Sequence, residues 1–554
     1  MGFSVGDWHV SGERNEIACG NVTRRLEPRV MDLLKYLARH PGEVLTHDEI
    51  IRNVWPHSYV SDSALQTAVS ALRKAFGDDF RQPGVLETIP KRGYRLVAPS
   101  SAAKPVVVVL PFENLTGNPQ LEYLADGVAE LLIAELGREP GLRVISRHSS
   151  MAFKNRDALL PGIAARLSAD YAVEGSVLMD GKDLCTTVQL IDASADTHCW
   201  SDTIRTSVGG MLRSLRAAAG TIADKLCAET RQFDSAPEPI VDTEAMTCYL
   251  RGRFHFYKLS PEHFPSALEN LQKAVTIEPG FAAAHAAIAD VWGGFGYWGA
   301  IPAREAEREI RSALAKAEAA DPEDAETNMM FGALHLFVEY DWTAARWRLD
   351  RAVRINPNLA GAYLLRALFL GTLREATALD AADRGKRLDP LNPAILFARS
   401  LVLAGAERFD EASRELDEIF EIAPDFKPAV EMAAELALIA GDEDAIEWER
   451  RHWADDDAIS NILADAAARR RLPETMRQIS ELLRQRATSD YVSPRILARQ
   501  YCLAGDYETA MSILERGIAE RDLMQIDFVQ MAPAFAALRD SAAYRELLKS
   551  IDLF

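Results

Sequence analysis

The chain has 554 residues, 48% hydrophobic and 26% charged, which excludes a mainly disordered chain and implies about three to five folded units. Its formal net charge of −20 argues against nucleic acid as a partner of the whole chain, yet residues 1–100 hold 13 Lys/Arg against 12 Asp/Glu and the remainder 49 against 70. The acidity belongs to the later part, and a nucleic-acid role for the N-terminal segment survives.

Six scattered cysteines with no Cys-x-x-Cys pair exclude a disulfide framework or a zinc ribbon and fit a reducing cytoplasm. The N-terminus lacks a basic stretch followed by an apolar one, so no signal peptide is expected. The apolar run Val106–Leu110 is far below the ~20 residues that span a bilayer, so no membrane partner is expected.

Phe3–Val10, Glu16–Ala18 and Val22–Leu26, separated by Gly and Asn turns, read as small antiparallel strands. Arg29–His40 has helical spacing, with Val30, Leu33, Leu34 and Leu37 on one face and Pro41-Gly42 as its stop. Thr46-His-Asp-Glu49 is a capping box for a second helix through Ile50, Ile51 and Val54. Ser61-Asp62 caps a third helix to Phe76, whose apolar stripe is Leu65, Val69, Leu72 and Phe76. Its opposite face presents Ser63, Gln66, Thr67, Ser70, Arg73 and Lys74, residue types that read base edges or bind phosphate. Leu86–Val97 gives two β-rich segments around a basic Pro-Lys-Arg-Gly turn.

Leu33–Leu45, Val54-Trp55-Pro56, Ala71–Asp79 and Glu87–Tyr94 occur in the order and spacing of one known family: residues 1–98 strongly resemble the OmpR/PhoB-type winged-helix DNA-binding domain. The resemblance implies double-stranded DNA as partner, with the third helix in the major groove and the hairpin wing on the adjacent minor groove or backbone. It implies that Ser63, Gln66, Thr67 and Ser70 face bases, while Arg73, Lys74, Lys91, Arg92 and Tyr94 contact mainly phosphate. Trp55 matches a family position near the DNA backbone or belongs to the core, and the loop Pro56–Val60 matches the segment that can touch RNA polymerase. Ser63, Ala68 and Ala71 stand where some members carry Arg or His, so the target sequence does not carry over.

After the small-residue linker Pro99–Lys104 come a strand at Val106–Leu110, a helix at Leu124–Leu136, a strand at Leu142–Ile145 and a short helix at Gly162–Leu167. A meander at Tyr171–Leu178, Leu184–Ile191 and His198–Thr203 precedes a helix from Met211 to about Cys227, an α/β pattern. Val109–Gly117, Tyr123–Gly127, Val144–Arg147 and Val173–Val177 resemble the TolB-like domain, which implies a fold and a sensing or interaction module but no reaction. Asp126, Arg147 and His148 are polar residues without a partner motif, and a structural role is the expectation.

From residue 240 the chain repeats. Pro279, Pro322, Pro357, Pro390 and Pro424 follow at intervals of 43, 35, 33 and 34, with Ala267, Ala345, Ala378 and Ala412 twelve positions before four of them. Small residues there let paired helices approach, and the prolines end each second helix. The pattern resembles tetratricopeptide repeats, with an insertion around Trp292–Ala303, a later copy at Gly505–Ala510, a poor fit over 440–490, and Phe535–Leu548 as the closing helix. Such arrays bind protein or peptide segments on their concave face or serve as dimerisation arms.

Gly294-Phe-Gly-Tyr-Trp-Gly299 satisfies a dinucleotide fingerprint only literally, because it follows a helical segment and opens no βαβ unit; a loop in the insertion is expected. Asp455-Asp-Asp457 reads as a solvated acidic turn. No Walker loop, Gly-x-Ser-x-Gly or His-Glu-x-x-His is present, so no enzyme activity, catalytic residue, metal or cofactor is expected. The sequence therefore predicts a multidomain chain: a winged helix-turn-helix (α+β) over 1–99, an α/β TolB-like domain over 105–235 and an all-α tetratricopeptide superhelix over 240–554. It resembles the HilA-type regulators and differs from CadC-type ones in lacking a membrane span. The expected function is a cytoplasmic one-component transcriptional regulator, controlled by partner binding or self-association through the middle and repeat domains; a homodimer fits that scheme. The acidic body limits non-specific DNA contact. The alternative is an interaction scaffold whose winged helix mediates protein contacts.

Overall fold

Short stretches of period two make the chain begin as a β-meander, in which β1 (Gly2–Val5), β2 (Trp8–Ser11), β3 (Glu16–Cys19) and β4 (Val22–Arg25) pair antiparallel in sequence order. The expected single strand Phe3–Val10 is two strands, because Gly6 turns the chain at φ +55° and sets Val5 opposite Trp8. The computed structural model describes residues 2–6, 8–12, 14–19, 22–39, 44–55, 62–78, 83–89, 92–97, 104–154, 158–193, 195–227, 240–258, 261–297, 300–441, 444–469, 472–522 and 525–553. It divides into two units, Met1–Pro105 and Val106–Phe554.

In the first unit, α1 (Pro28–Arg39), α2 (His47–Val54) and α3 (Asp62–Phe76) precede the hairpin β5 (Leu86–Ile89) and β6 (Gly93–Leu96). The capping box closes the start of α2 as its sequence predicts: the Glu49 amide donates to Thr46 Oγ1 at 3.3 Å and the Thr46 amide to Glu49 Oε2 at 3.3 Å. Leu33, Leu34 and Leu37 of α1, Ile50 of α2 and Leu65, Val69 and Leu72 of α3 form one core with Val5, Val10 and Ile17 of the meander, and Trp55 belongs to that core.

In the second unit, β7 (Val106–Val109) is the parallel centre of a sheet. In chain order follow β8 (Glu113–Asn114), α4 (Glu122–Gly137), β9 (Arg143–Val144), α5 (Arg147–Met151), α6 (Leu160–Leu167), β10 (Tyr171–Asp180), β11 (Asp183–Asp192), β12 (Thr197–Ser207) and α7 (Met211–Leu226). The strand order is β12-β11-β10-β7-β9, with β8 beside β10 and the last three long strands antiparallel.

The remaining chain is helical. The pairs are α8/α9 (Thr243–Phe256, Phe264–Ile277), α10/α11 (Ala282–Tyr297, Ala303–Ala320), α12/α13 (Ala325–Leu334, Trp342–Ile355), α14/α15 (Ala360–Thr372, Ala378–Leu388), α16/α17 (Pro393–Gly405, Phe409–Ile422) and α18/α19 (Lys427–Ala440, Ala445–His452). Then come α20 (Asp457–Arg469), α21 (Leu472–Arg486), the pair α22/α23 (Pro494–Leu503, Tyr507–Ala519), α24 (Ile526–Met531) and α25 (Ala542–Lys549). Ala267, Ala345, Ala378 and Ala412 are all buried in second helices, as the twelve-residue offset predicts. These are tetratricopeptide-like helix pairs.

Two expectations fail here. The first part of the expected insertion is helical: α10 runs to Tyr297, so Gly294 and Gly296 lie in its last turns rather than in a loop, and α11 is an 18-residue helix, while residues 298–299 fall outside the described residues. Phe535–Leu548 is not one helix but a 3₁₀ segment, Pro533–Leu538, followed by α25, because the Ser541 hydroxyl accepts from the Tyr544 amide at 3.1 Å and starts a new helix.

The α/β sheet and the repeats share one apolar core. Two of their polar joints lie at the ends of second helices and others on α8 and just after it. Asn358, just after the α13 stop, accepts from the Val144 amide at 3.1 Å and donates to the Gly137 carbonyl at 3.0 Å. Asp389, at the end of α15, accepts from the Ser149 amide at 2.8 Å and its hydroxyl at 2.6 Å. Arg253 of α8 donates to Glu130 of α4 at 2.7 Å, and Arg147 lies over the Tyr257 ring at 3.9 Å while pairing with Glu130 and Asp126. Arg147 thus reaches from the sheet module to the repeats, and Asp126 pairs with it from within that module. Asp455-Asp-Asp457 is also engaged: Asp455 pairs with Lys427 and Asp456 with Arg486.

The C-terminal segment packs back along the first helices. Tyr297 of α10 donates its hydroxyl to Asp527 at 3.1 Å, Phe528 stands 5.6 Å from the Phe397 ring of α16, and Ala534 donates to Glu435 of α18 at 3.1 Å. Arg499 of α22, 1% exposed, bridges Glu435 and Glu449, each at 2.7 Å. Burial pushes the Asp527 carboxyl up to about 7, so the folded state favours its neutral form. That contribution is complete below the carboxyl's ordinary range and is lost as pH rises through about 7. Asp527→Asn should remove it: denaturant unfolding at pH 5 and pH 8 should show the wild type losing about 2–4 kcal/mol more than the variant, and equal losses would contradict the assignment.

Candidate nucleic-acid interface

Helix α3 and the β5–β6 hairpin are one mechanical piece. Asp78, two residues beyond α3, accepts the Gly84, Val85 and Leu86 amides at 2.7, 3.0 and 2.9 Å and so sets where β5 begins. Arg73 of α3 donates to the Leu86 carbonyl at 2.9 Å and to the Thr88 hydroxyl at 2.8 Å. On the other side, Leu45 and Tyr94 exchange both main-chain hydrogen bonds, at 2.9 and 3.0 Å, which ties β6 to the entry of α2. Gly93 sits at φ +148° against Leu45, and a Cβ there would run into the Leu45 carbonyl oxygen. Arg24 of β4 donates to the Lys74 and Ala75 carbonyls at 3.1 and 2.6 Å, closing the last turn of α3.

The outward side of α3 carries Gln66, Thr67, Ser70 and Lys74, all exposed. The Ser70 hydroxyl donates to the Gln66 carbonyl at 2.8 Å, so its oxygen still has acceptor capacity. Arg73 stands on the same side, three positions after Ser70, but its guanidinium is held by the hairpin. Tyr94 is 5% exposed, and its ring stacks on His47 at 5.3 Å between centroids. The sequence places Arg73 and Tyr94 with the phosphate contacts; in the structure half-buried Arg73 braces the hairpin, and Tyr94 is buried at its root. Ser63 lies in the first turn of α3, but its side chain, like all of Lys91 and the loop Pro56–Val60, falls outside the described residues. Arg92 is exposed in the hairpin turn. Arg95 pairs with Glu87 across the hairpin at 2.6 Å, so this cation neutralises a neighbour. Asp78 and Arg24 escaped the sequence reading; the Gly-Asp pair after α3 was a signal for the first, and nothing local marks the second.

A three-helix core with a helix-turn-helix pair, closed by a hairpin braced to the last helix, defines a winged helix-turn-helix domain. Residues 21–96 match the family model described as "Transcriptional regulatory protein, C terminal", and the N-terminal unit is a winged helix of that family. The chain is 44% identical over 96 residues to the transcriptional activator CadC of Escherichia coli strain K12, covering 17% of this chain and 19% of that protein. It is 30% identical over 195 residues to the putative adenylate cyclase 3 of Rhizobium meliloti strain 1021, covering 34% of this chain and 33% of that protein. With the transcriptional regulator HilA of Salmonella typhimurium strain LT2 it shares 19% identity over 407 residues, 71% of this chain and 72% of that protein. The matches span a third or less of the CadC and cyclase proteins' own lengths.

Among the described residues no helix is long and apolar enough to cross a membrane, and no group of three or more His, Cys, Asp or Glu could hold a metal ion. Replacing Arg73 with Ala should loosen the hairpin by about 1–3 kcal/mol, because two hydrogen bonds from a charged donor are lost. Hydrogen exchange on the full chain checks this: the Leu86 and Thr88 amides should exchange faster, and unchanged protection would refute the brace.

Proposed function

We propose that this chain is a one-component transcriptional regulator whose winged helix binds double-stranded promoter DNA. The observation that carries the proposal is the polar outward face of α3, Gln66, Thr67, Ser70 and Lys74, on a helix whose hairpin is fixed by Arg73 and Asp78. A rigid helix of this kind enters a major groove, while the hairpin reaches the neighbouring backbone. Gln66 suits an adenine edge, Thr67, Ser70 and Ser63 suit bases or phosphates, and Lys74, Lys91 and Arg92 supply phosphate contacts. The family match, the similarity to CadC and the resemblance to HilA over 407 residues support this reading. The near-neutral charge of residues 1–100 confines DNA to one region of an otherwise acidic chain.

In this reading the α/β module is TolB-like and works with the repeats as one controlling body in the cytoplasm. Its signal is a protein partner or self-association into a homodimer, and RNA polymerase is met through the loop 56–60. The joints Asn358, Asp389 and Arg253 support a single controlling body, since movement of the sheet alone would break buried hydrogen bonds.

Full-chain binding to a selected promoter fragment, titrated against salt, tests the DNA reading. Lys74→Ala and Arg92→Ala should each weaken binding across sequences and reduce the salt slope by about one, while Gln66→Ala should cost about 1–3 kcal/mol at one base position. A salt slope identical in the wild type and both cationic variants would refute the assignment.

A further inference from the structure

The first helices α10, α12, α14 and α16 leave a cavity of about 250 Å³ between them. Its wall is apolar and adaptable: Met329, Met330, Leu365, Leu368 and Phe397 contribute side chains, and glycines of α10 and α14 contribute bare backbone. A Cβ on Gly361 would sit 3.0 Å from the Met329 sulfur, so glycine keeps this space open. Asp290 of α10 is the one carboxylate among the lining residues, and its Oδ2 stands 3.9 Å from the Arg253 guanidinium. Helix α12 ends in a π-helical turn, His335–Glu339, which seats Phe337 in the wall with its ring 5.1 Å from that of Tyr297. Such turns recur at functional positions in helices.

Tyr297 and Phe397 also hold the C-terminal segment. Tyr297 donates its hydroxyl to Asp527 and accepts from the Gln525 side chain at 2.8 Å, and Phe397 faces Phe528. The chain's own tail therefore fills the neighbouring stretch of this face, and the space left over is of small-molecule size. Apolar cavities of ~150 Å³ admit a benzene-sized guest, so this one has room for a bicyclic molecule. We infer that the cavity is a binding site for a compact, uncharged, mainly aromatic small molecule carrying one hydrogen-bond donor, with the donor directed to Asp290. An apolar wall with one placed polar group is the usual make-up of such sites. The occupant touches Tyr297 and Phe397, two of the residues that hold the C-terminal segment. The inference goes beyond the transcriptional reading and is independent of DNA binding, since its test needs no DNA and its variants lie in the second unit.

The probe is 2-naphthol, a neutral bicyclic aromatic with one hydroxyl, titrated calorimetrically into the full chain. Saturable one-to-one binding is expected, weakened at least about tenfold in Ala333→Leu and Ala394→Leu, which fill the cavity, and unchanged in Trp347→Ala, outside the lining. Wild type should prefer 2-naphthol to naphthalene, and Asp290→Ala should lose that preference. Absence of saturable binding, or binding that persists in both filled variants, overturns the inference. Where a filled variant fails to fold, hydrogen exchange of the wild type decides: protection of α10, α12, α14 and α16 by 2-naphthol supports the site, and unchanged exchange there overturns it.

Discussion

Main-chain groups that no helix or strand pairs need other partners, and in both units a few polar side chains supply them. In the first unit Asp78 alone takes three successive amides where the hairpin begins. In the second, Asn358 and Asp389 satisfy the loops around β9 and α5 from the ends of α13 and α15. With Arg73 these bonds fix the hairpin on α3, and with Arg253 they set the sheet on the repeats. Apolar burial brings the layers together, but it is non-directional; the directional bonds decide how the layers sit.

The same division of labour runs through the candidate interface. An arginine on a recognition helix suits phosphate, yet Arg73 serves the hairpin and leaves the outward side to shorter polar residues and Lys74. Tyr94 likewise supports the hairpin root from within. The face offered to a groove is therefore less cationic than the sequence suggests, while the geometry that presents it is more rigid. On the proposed DNA-binding role, this arrangement would favour readout of base edges by Gln66, Thr67 and Ser70 over adhesion to any backbone.

Local patterns made much of the fold legible. The Thr46–Glu49 capping box, the apolar stripes of α1 to α3, the strands of the meander and the proline-spaced helix pairs all rest on neighbours within a few turns. What stayed hidden depends on partners distant in the chain. Asp389 reads as part of a helix stop, and only the fold brings Ser149, 240 positions away, onto its carboxylate. Arg73 points to Leu86 and Thr88 for a similar reason, and its i, i+3 and i, i+4 neighbours on α3 gave no hint of it. Gly294 and Gly296 looked like loop residues by composition, but tertiary packing between α10 and its neighbours outweighs the low helix propensity of glycine. The return of residues 525–553 along the first helices had no periodic signature at all.

The central claim is that the outward face of α3 selects DNA sites for the intact chain. Genome-wide mapping of DNA bound by the intact protein, beside the same protein with Gln66, Thr67 and Ser70 all changed to Ala, tests it most directly. The account predicts discrete promoter sites sharing one sequence pattern for the wild type and their loss in the triple variant at equal protein level. Wild-type sites that persist unchanged in the variant, or no reproducible sites for the wild type, would contradict it.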